Sequence, residues 1–265
     1  ALVQRSYRAP VETFDVNVMG TIQVLEAARH ASSVRAVLVV TTDKCYENRE
    51  WLWAYRENEA LGGRDPYSAS KAGAELVVAA WRESFFNPAG IALASARAGN
   101  VIGGGDWAEK RLLPDCIRAL QSGEAIEIRS PASTRPWQHV LEPLCGYLIL
   151  AERLWTDGAA VAEAWNFGPP MTDVWPVGEV VDRVTSLWGE GAQWKTVGHT
   201  GGHEAGLLAV DSSKAQNRLN WRPRLRLGTT LKWTVDWYRA EGQGEDPQRL
   251  VLDDIAKFEQ FWNAD

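Results

Sequence analysis

The stretch RAVLVVTTDK, residues 35–44, decides the architecture. Its apolar, β-branched run carries no interleaved polar residue. That predicts a strand buried on both faces, as in parallel sheets covered by helices on each side. The run ends in Thr41, Thr42, Asp43 and Lys44, so hydroxyls and charges stand at the carboxyl end of the strand, where ligand loops gather in an open parallel sheet. Upstream, VETFDVNVMGTIQVLEAARHA (11–31) places Phe14, Val18, Ile22 and Leu25 three and four apart, the spacing of an amphipathic helix. Downstream comes a loop rich in Trp and charge, then DPYSASKAGAELVVAAWRESFF (65–86), a second helix. GIALASARAGNV (90–101) is a second buried strand, closed by Gly99-Asn100 and broken by Gly103, Gly104 and Gly105. Helix, strand, helix, strand implies right-handed crossovers and an α/β, doubly wound parallel sheet.

Past residue 105 the periodicity loosens. LLPDCIRALQSG (112–123) reads as a helix with Pro114 in its first turn, AIEIRS (125–130) as a short strand, VLEPLCGYLILAERL (140–154) as an apolar helix and EAWNFGP (163–169) as a strand ending at Gly168. VGEVVDRVTSLWG (177–189), SSKAQNRLNW with Ser212 as expected N-cap, LGTTLKWTVDWYRAEG (227–242) and LVLDDIAKFEQFWN (250–263) are further expected helices. No internal repeat or low-complexity tract interrupts them.

Composition narrows the function. The 265 residues are 45% apolar, enough for one large domain or two small ones with a real core. The net charge of −6 and the absence of a basic cluster argue against a nucleic-acid partner. Three widely spaced cysteines without a C-x-x-C argue against a disulfide framework or a metal site and fit a reducing compartment. No apolar run approaches the roughly 20 residues of a membrane span, and no secretory signal opens the chain. The 14 Trp suit interfaces and sugar-lined clefts as well as ordinary packing. The first residue is Ala1, and ALVQRSYRAP reads as mid-protein sequence, so the natural protein is expected to begin earlier.

The helix at 65–86 carries Tyr67 and Lys71 four residues apart, on one helix face. An ammonium beside a phenol favours phenolate and lowers the Tyr pKa from about 10 toward neutrality. Such a Tyr can take a proton from a sugar hydroxyl as hydride leaves the same carbon. A solvated Tyr and Lys on a helix surface is the plain alternative. Context favours chemistry: Thr42, Asp43 and Lys44 end one strand and Arg97 and Asn100 end the next. A dinucleotide fingerprint, the glycine-rich turn between a first strand and helix, is missing. GHTGGHEAG (198–206) has the glycines but no buried strand before it, and is rejected as a cofactor loop.

TTDKCYENREW, DPYSASKAGAEL, SARAGNVIGGGDWAE, RPWQHVLEPLCGYLILAERL, WNFGP and HEAGLLAVDSSKAQNRLNWRP, in this order, resemble the CDP-glucose 4,6-dehydratase family of extended short-chain dehydrogenase/reductases, NAD-dependent enzymes of nucleotide sugars. DKCYENREW separates this group from dTDP-glucose dehydratases, which carry an acidic residue where Lys44 stands. The resemblance implies a Rossmann-like NAD-binding domain over about 1–100 and 136–169, and a smaller α/β nucleotide-sugar domain over about 101–135 and 170–265. It implies a hydro-lyase in which NAD is retained and CDP-glucose becomes a 4-keto-6-deoxy sugar. Tyr67 matches the base, Lys71 its activator and a ribose contact, and Thr42 the hydroxyl bonded to O4. Asp43 matches the proton donor to the departing hydroxyl. Lys44 stands where relatives keep the C5 base, either as that base or as an electrostatic stabiliser. Asn17, Val40, Thr41 and Arg97 match cofactor contacts, Asn17 as a brace for the catalytic strand. Asn100, Arg129 and Arg135 match the groups on the nucleotide diphosphate, where an Arg fork suits phosphate oxygens. His203 reaches the nucleotide end, and His139 is more often structural than ligating.

The resemblance further implies a cytoplasmic homodimer or higher oligomer, paired through helices 11–30 and 67–86, and a place in dideoxy-sugar and O-antigen supply. The departure is at the start. Complete members carry the glycine-rich turn and further parallel strands before ALVQRSY, and without them RAVLVVTT presents a bare apolar edge. A nucleotide-sugar 4-epimerase shares Tyr67 and Lys71, but it needs no groups for C5 and C6. A fragment that only binds nucleotide sugar is the second rival.

Overall fold

A computed structural model describes residues 3–189, 191–198 and 206–262. In chain order the helices are α1 (Val3–Arg8), α2 (Pro10–Phe14), α3 (Gly20–His30), α4 (Pro66–Trp81), α5 (Leu112–Gln121), α6 (Leu141–Asp157), α7 (Val177–Trp188), α8 (Ser213–Arg218), α9 (Leu227–Gly242) and α10 (Pro247–Trp262). The strands are β1 (Ala36–Val40), β2 (Ala92–Ala98), β3 (Val101–Ile102), β4 (Ile126–Ile128), β5 (Thr134–Arg135), β6 (Gln138–His139), β7 (Ala164–Phe167), β8 (Trp175–Pro176) and β9 (Trp194–Thr196). They fall into two compact units: one of 1–99, 143–168 and 209–222, the other of 100–142, 169–208 and 223–265.

The first unit is built on the parallel sheet β1-β2-β7, in which Val37 pairs with Leu93 and Arg97 with Asn166. Alternation along β2 sorts ALASARA into two faces. Leu93 joins Leu25 of α3, Val78 of α4 and Phe86 in one apolar cluster, with Val37 and Val39 of β1 against it. Ser95 and Arg97 follow Leu93 on that face, and the other face shows only alanines. On β7, Gly146 lets α6 lie against Phe167, since a Cβ there would sit 2.4 Å from the ring. β2 is buried throughout. β1 is an edge strand among the described residues, as the resemblance implies for RAVLVVTT without the preceding strands. The expected burial on both faces is not met: β1 is only half-buried, with Val40 47% exposed. An apolar composition marks a strand that packs on helices; it does not count the strand's neighbours.

The helix expected over 11–31 is present but changes winding. A π-turn, Asp15–Met19, separates α2 from α3. Ser212, the expected N-cap of α8, gives its hydroxyl to Gly168 O (3.1 Å) instead. Asp211 caps from one residue earlier, accepting from Ser213 N at 2.8 Å. Residues 209–222 pack with the sheet and 136–142 with the second unit, a different partition from the ranges drawn in the sequence. The pins are specific: Tyr55 N donates to Ala209 O and Asp211 N to Tyr55 O, both at 2.9 Å. In turn Gln138 and His139 pair with Val101 and Ile102.

The second unit holds parallel pairs β3-β6 and β4-β9 and the antiparallel pair β5-β8. Its core joins Leu113, Cys116 and Leu120 of α5, Ile126 and Ile128 of β4, Val180, Val181 and Val184 of α7, and Leu227, Leu231 and Val235 of α9. The glycine run has a packing reason here: a Cβ on Gly104 would lie 2.1 Å from the Trp237 ring.

Candidate active site

The first turn of α4 is held from three sides. Asp65 caps it, accepting from Ser68 N (3.0 Å) and from the Ser68 hydroxyl (2.6 Å), and Pro66 presets its first helical residue. Tyr67 N donates to Ser6 Oγ of α1 at 3.1 Å. Ser70 Oγ donates to Tyr67 O (2.7 Å) and accepts from Asn17 Nδ2 (2.9 Å) on the π-turn. The Asn17 amide therefore reaches the helix, where the sequence points to a brace on the catalytic strand. The π-turn also lies close to α4, where a Cβ on Gly73 would meet Val18 Cγ2 at 3.1 Å. Tyr67 is 8% exposed, and Lys71 is partly buried one turn on.

Against this helix packs the turn that follows β1, Asp43–Cys45. Thr42 caps it: its hydroxyl accepts from Lys44 N at 3.3 Å and donates to Asp43 Oδ1 at 3.0 Å. Asp43 is only 1% exposed and Thr42 is buried, while Lys44 is partly exposed. Asp43 also raises the phenol of Tyr147 on α6, after burial itself. The structure thus brings Thr42, Asp43 and Lys44 together with the helix of Tyr67 and Lys71.

Beneath them lies a polar network that the sequence does not announce. Glu75, four residues after Lys71, accepts from Thr41 Oγ1, from Ser95 Oγ (2.8 Å) and from Arg97 Nη2 (2.7 Å). Arg97 Nη1 donates to Tyr46 OH (2.8 Å) and to Glu57 O (3.1 Å), and Tyr46 OH donates to Asn166 Oδ1 (2.7 Å). Burial opposes ionisation of Glu75, yet the Arg97 guanidinium and the Thr41 and Ser95 hydroxyls outweigh it and hold the carboxyl below its ordinary range. Arg97 is likewise kept charged by Glu75 against its burial. Arg97, expected to touch a cofactor, is 3% exposed and committed inward at both Nη atoms. Its position ends a strand, but its side chain belongs to the face under α4. Lys71 differs. Burial lowers its pKa, Glu75 and then Cys45 oppose that, and it donates no hydrogen bond to any described residue.

In the second unit, Asn100 precedes β3 and accepts from Gln138 N through its carbonyl at 3.0 Å. Arg129 follows β4, and Arg135 lies on β5 with Nη1 donating to Thr134 O at 2.7 Å. His139 is buried on β6. Its Nδ1 accepts from Leu141 N (3.3 Å), its ring meets Trp233 edge-on, and burial pushes it down to about 4. That is the behaviour of a neutral structural imidazole. His203 lies outside the described residues, as does most of 198–206. Among the described residues no His, Cys, Asp and Glu cluster could hold a metal, and no helix is long and apolar enough to cross a membrane.

Comparison with known proteins places this arrangement. The profile of the family described as GDP-mannose 4,6 dehydratase matches residues 1–157. The CDP-glucose 4,6-dehydratase of Salmonella typhimurium is 52% identical over 250 residues, 92% of this chain and 70% of that protein. Among solved structures, DesIV, a dTDP-glucose 4,6-dehydratase of Streptomyces venezuelae with NAD and TYD bound, superposes with a TM-score of 0.79 at 24% identity, covering 93% of this chain and 73% of its own. UDP-glucuronic acid 4-epimerase of Bacillus cereus, in complex with UDP-glucuronic acid and NAD, gives 0.73 at 20% identity, covering 84% and 67%. At such identities the two structures speak for the fold, which is the Rossmann-type α/β arrangement the motifs imply.

Proposed function

The chain belongs to the GDP-mannose 4,6 dehydratase family, and we propose that it is a hydro-lyase converting CDP-D-glucose to CDP-4-keto-6-deoxy-D-glucose and water with bound NAD. The observation that carries this reading is the Thr42–Cys45 turn packed on the helix of Tyr67 and Lys71. The partly buried Lys71 ammonium, with no acceptor among the described residues, fits the ribose hydroxyls of a dinucleotide. Val40 and Thr41, at the open end of β1, with Tyr67 and Lys71, are the residues here that would hold it. When bound, NAD supplies a hydride acceptor for the sugar C4 and later the donor to C6.

The chain's own groups move the protons. Tyr67, with its phenolate favoured by Lys71, takes the O4 proton, and Thr42 bonds the same oxygen. Asp43, hydrogen-bonded by Thr42 and buried, gives a proton to the departing C6 hydroxyl. Lys44 faces the acidified C5, as its base or as a charge beside the developing enolate. Asn100, Arg129 and Arg135 bind the diphosphate. The unit of the three-stranded sheet then serves the cofactor, and the other unit the nucleotide. A 4-epimerase is the second reading; Asp43 and Lys44 favour the dehydratase, because epimerisation leaves C5 and C6 untouched.

We also propose self-association through the helices at 11–30 and 67–86, where Val11, Val16, Val24 and Leu76 stand exposed. Sedimentation that finds only monomer contradicts it. Three free cysteines suit a reducing, cytoplasmic setting, and supply of deoxy sugars for surface polysaccharide suits the product. The deciding assay incubates the protein, restored to full length, with CDP-glucose and NAD and follows the alkali-dependent absorbance of a 4-keto-6-deoxy sugar. CDP-galactose as product instead identifies the epimerase. Tyr67→Phe removes turnover while leaving affinity for CDP-glucose within about twofold, the pattern of a group used only in the transition state; undiminished turnover contradicts its role as base.

A further inference from the structure

Tyr67, Lys71 and Glu75 recur every four residues and share one face of α4. We propose that Glu75 is a positioning residue for the other two: its carboxylate clamps that face onto the end of β1 and supplies the negative charge that keeps Lys71 an ammonium. The proposal rests on the roles given above to Tyr67 and Lys71.

The clamp is visible in the bonds. Glu75 is 2% exposed, and both its oxygens are occupied, one by Thr41 and the other by Ser95 and Arg97. Thr41 is the residue immediately before Thr42, and its N–H donates to Ala96 O at 2.8 Å. A single side chain on α4 thus holds the residue that ends the β1 ladder and two residues of β2. Any slide or roll of α4 on the sheet breaks bonds to a buried carboxylate and leaves it unpaired. Packing alone does not require a charge here, since apolar residues of similar volume can stabilise a core as well as a buried ion pair.

The charge has a recipient. Burial works against the Lys71 ammonium, and Glu75 is the foremost group in its favour. The elements packed on α4 bring other ionisable groups: Asp43, Lys44 and Cys45 from the turn, Arg97 from β2, Asp15 from the π-turn, Glu12 from α2, Glu26, Arg29 and His30 from α3, and Arg5 and Arg8 from α1. Arg82 and Glu83 follow the helix. Apart from Glu75, Cys45 alone among the described residues acts on Lys71, and burial pushes that thiol up, so it stays neutral. Removing the Glu75 charge takes away the foremost charge favouring the Lys71 ammonium and leaves Arg97 positive beneath it.

The test follows the Lys71 side chain by 15Nζ–13Cε correlation NMR against pH, assigned with Lys71→Arg, beside kcat and KM for CDP-glucose. In Glu75→Gln, Lys71 titrates at lower pH than in the wild type, the alkaline limb of kcat moves down with it, and kcat falls about tenfold or more while KM stays within about twofold. Ser95→Ala cuts one arm of the clamp without changing charge, so kcat falls several-fold while the Lys71 titration stays in place. An unchanged Lys71 titration in Glu75→Gln overturns the electrostatic half, and undiminished kcat in Ser95→Ala overturns the clamp. Where Glu75→Gln does not fold, Glu75→Gln/Arg97→Gln, which buries no unpaired charge, carries the same NMR comparison: a lowered Lys71 titration supports the proposal and an unchanged one overturns it. The NMR reading needs no turnover. A wild type that makes no keto sugar therefore defeats the proposed function and still decides the place of Glu75.

Discussion

Tyr46→Phe isolates two bonds of the buried network. The ring is 1% exposed, and its stacking on Tyr55 (5.2 Å between centroids) survives the change, so no packing is lost. The hydroxyl donates to Asn166 Oδ1 at 2.7 Å and accepts from Arg97 Nη1 at 2.8 Å. Arg97 Nη1 keeps Glu57 O at 3.1 Å as a second acceptor, whereas Asn166 Oδ1 loses the Tyr46 donor. A bond to a charged group contributes about 1.5–3 kcal/mol and a stripped buried acceptor costs about 1–3. Because Arg97 is partly compensated, the sum expected is about 2–4 kcal/mol. At about 2–4 °C per kcal/mol for a chain of this size, Tm falls by roughly 5–15 °C. Urea unfolding followed by circular dichroism at neutral pH measures it directly. A loss below about 1 kcal/mol refutes the account of the network as a set of desolvated, mutually dependent bonds.

Other expectations follow from the second unit. Gly104→Ala forces a methyl to within 2.1 Å of the buried Trp237 ring, so it destabilises by about 1–3 kcal/mol or more and alters tryptophan fluorescence; a neutral result removes the packing reason for that glycine. His139, pushed down to about 4 by burial, contributes stability that is present above pH 6.5 and lost as pH falls toward 4. Burial raises the Glu142 carboxyl to about 7, so its contribution is full below pH 4.5 and fades as pH rises toward 7. The slopes oppose each other: His139→Gln leaves a stability that falls with rising pH across this window, and Glu142→Gln one that rises, both read from urea midpoints. Parallel pH profiles in the two variants contradict both assignments.

Much of this architecture is legible in the sequence, for identifiable reasons. β2 announces itself as a short buried run closed by Gly99-Asn100, and α4 by its Asp65-Pro66 start, which is local chemistry. The position of β1 at an edge is not local: the family resemblance implies it, whereas the composition of the strand alone reads as burial on both faces. Arg97 reads as a ligand contact because it ends a strand. Its partner Glu75 lies 22 residues away on another element, and only the alternation of β2 turns it toward α4. Glu75 itself continues the four-residue spacing of Tyr67 and Lys71, a signal present in SKAGAE but silent until burial is known. Ser6 supports Tyr67 from 61 residues away and leaves no local trace. Ser212 and Asp211 are both plausible caps by type, and the carbonyl of Gly168 decides between them.

The alternation in ALASARA also limits how the sheet can be assembled. Moved by one residue, β2 would turn Leu93, Ser95 and Arg97 together to the side now lined by methyl groups and set only alanines against the hydroxyl of Thr41 and the carboxylate of Glu75. A guanidinium stranded among alanines has no acceptor, and the carboxylate left behind has no counter-ion, so misaligned pairings of β1 with β2 are penalised on both sides at once. The polar seam under α4 therefore acts as a key for strand alignment during folding, accepting one threading of the central strand and rejecting its nearest competitors.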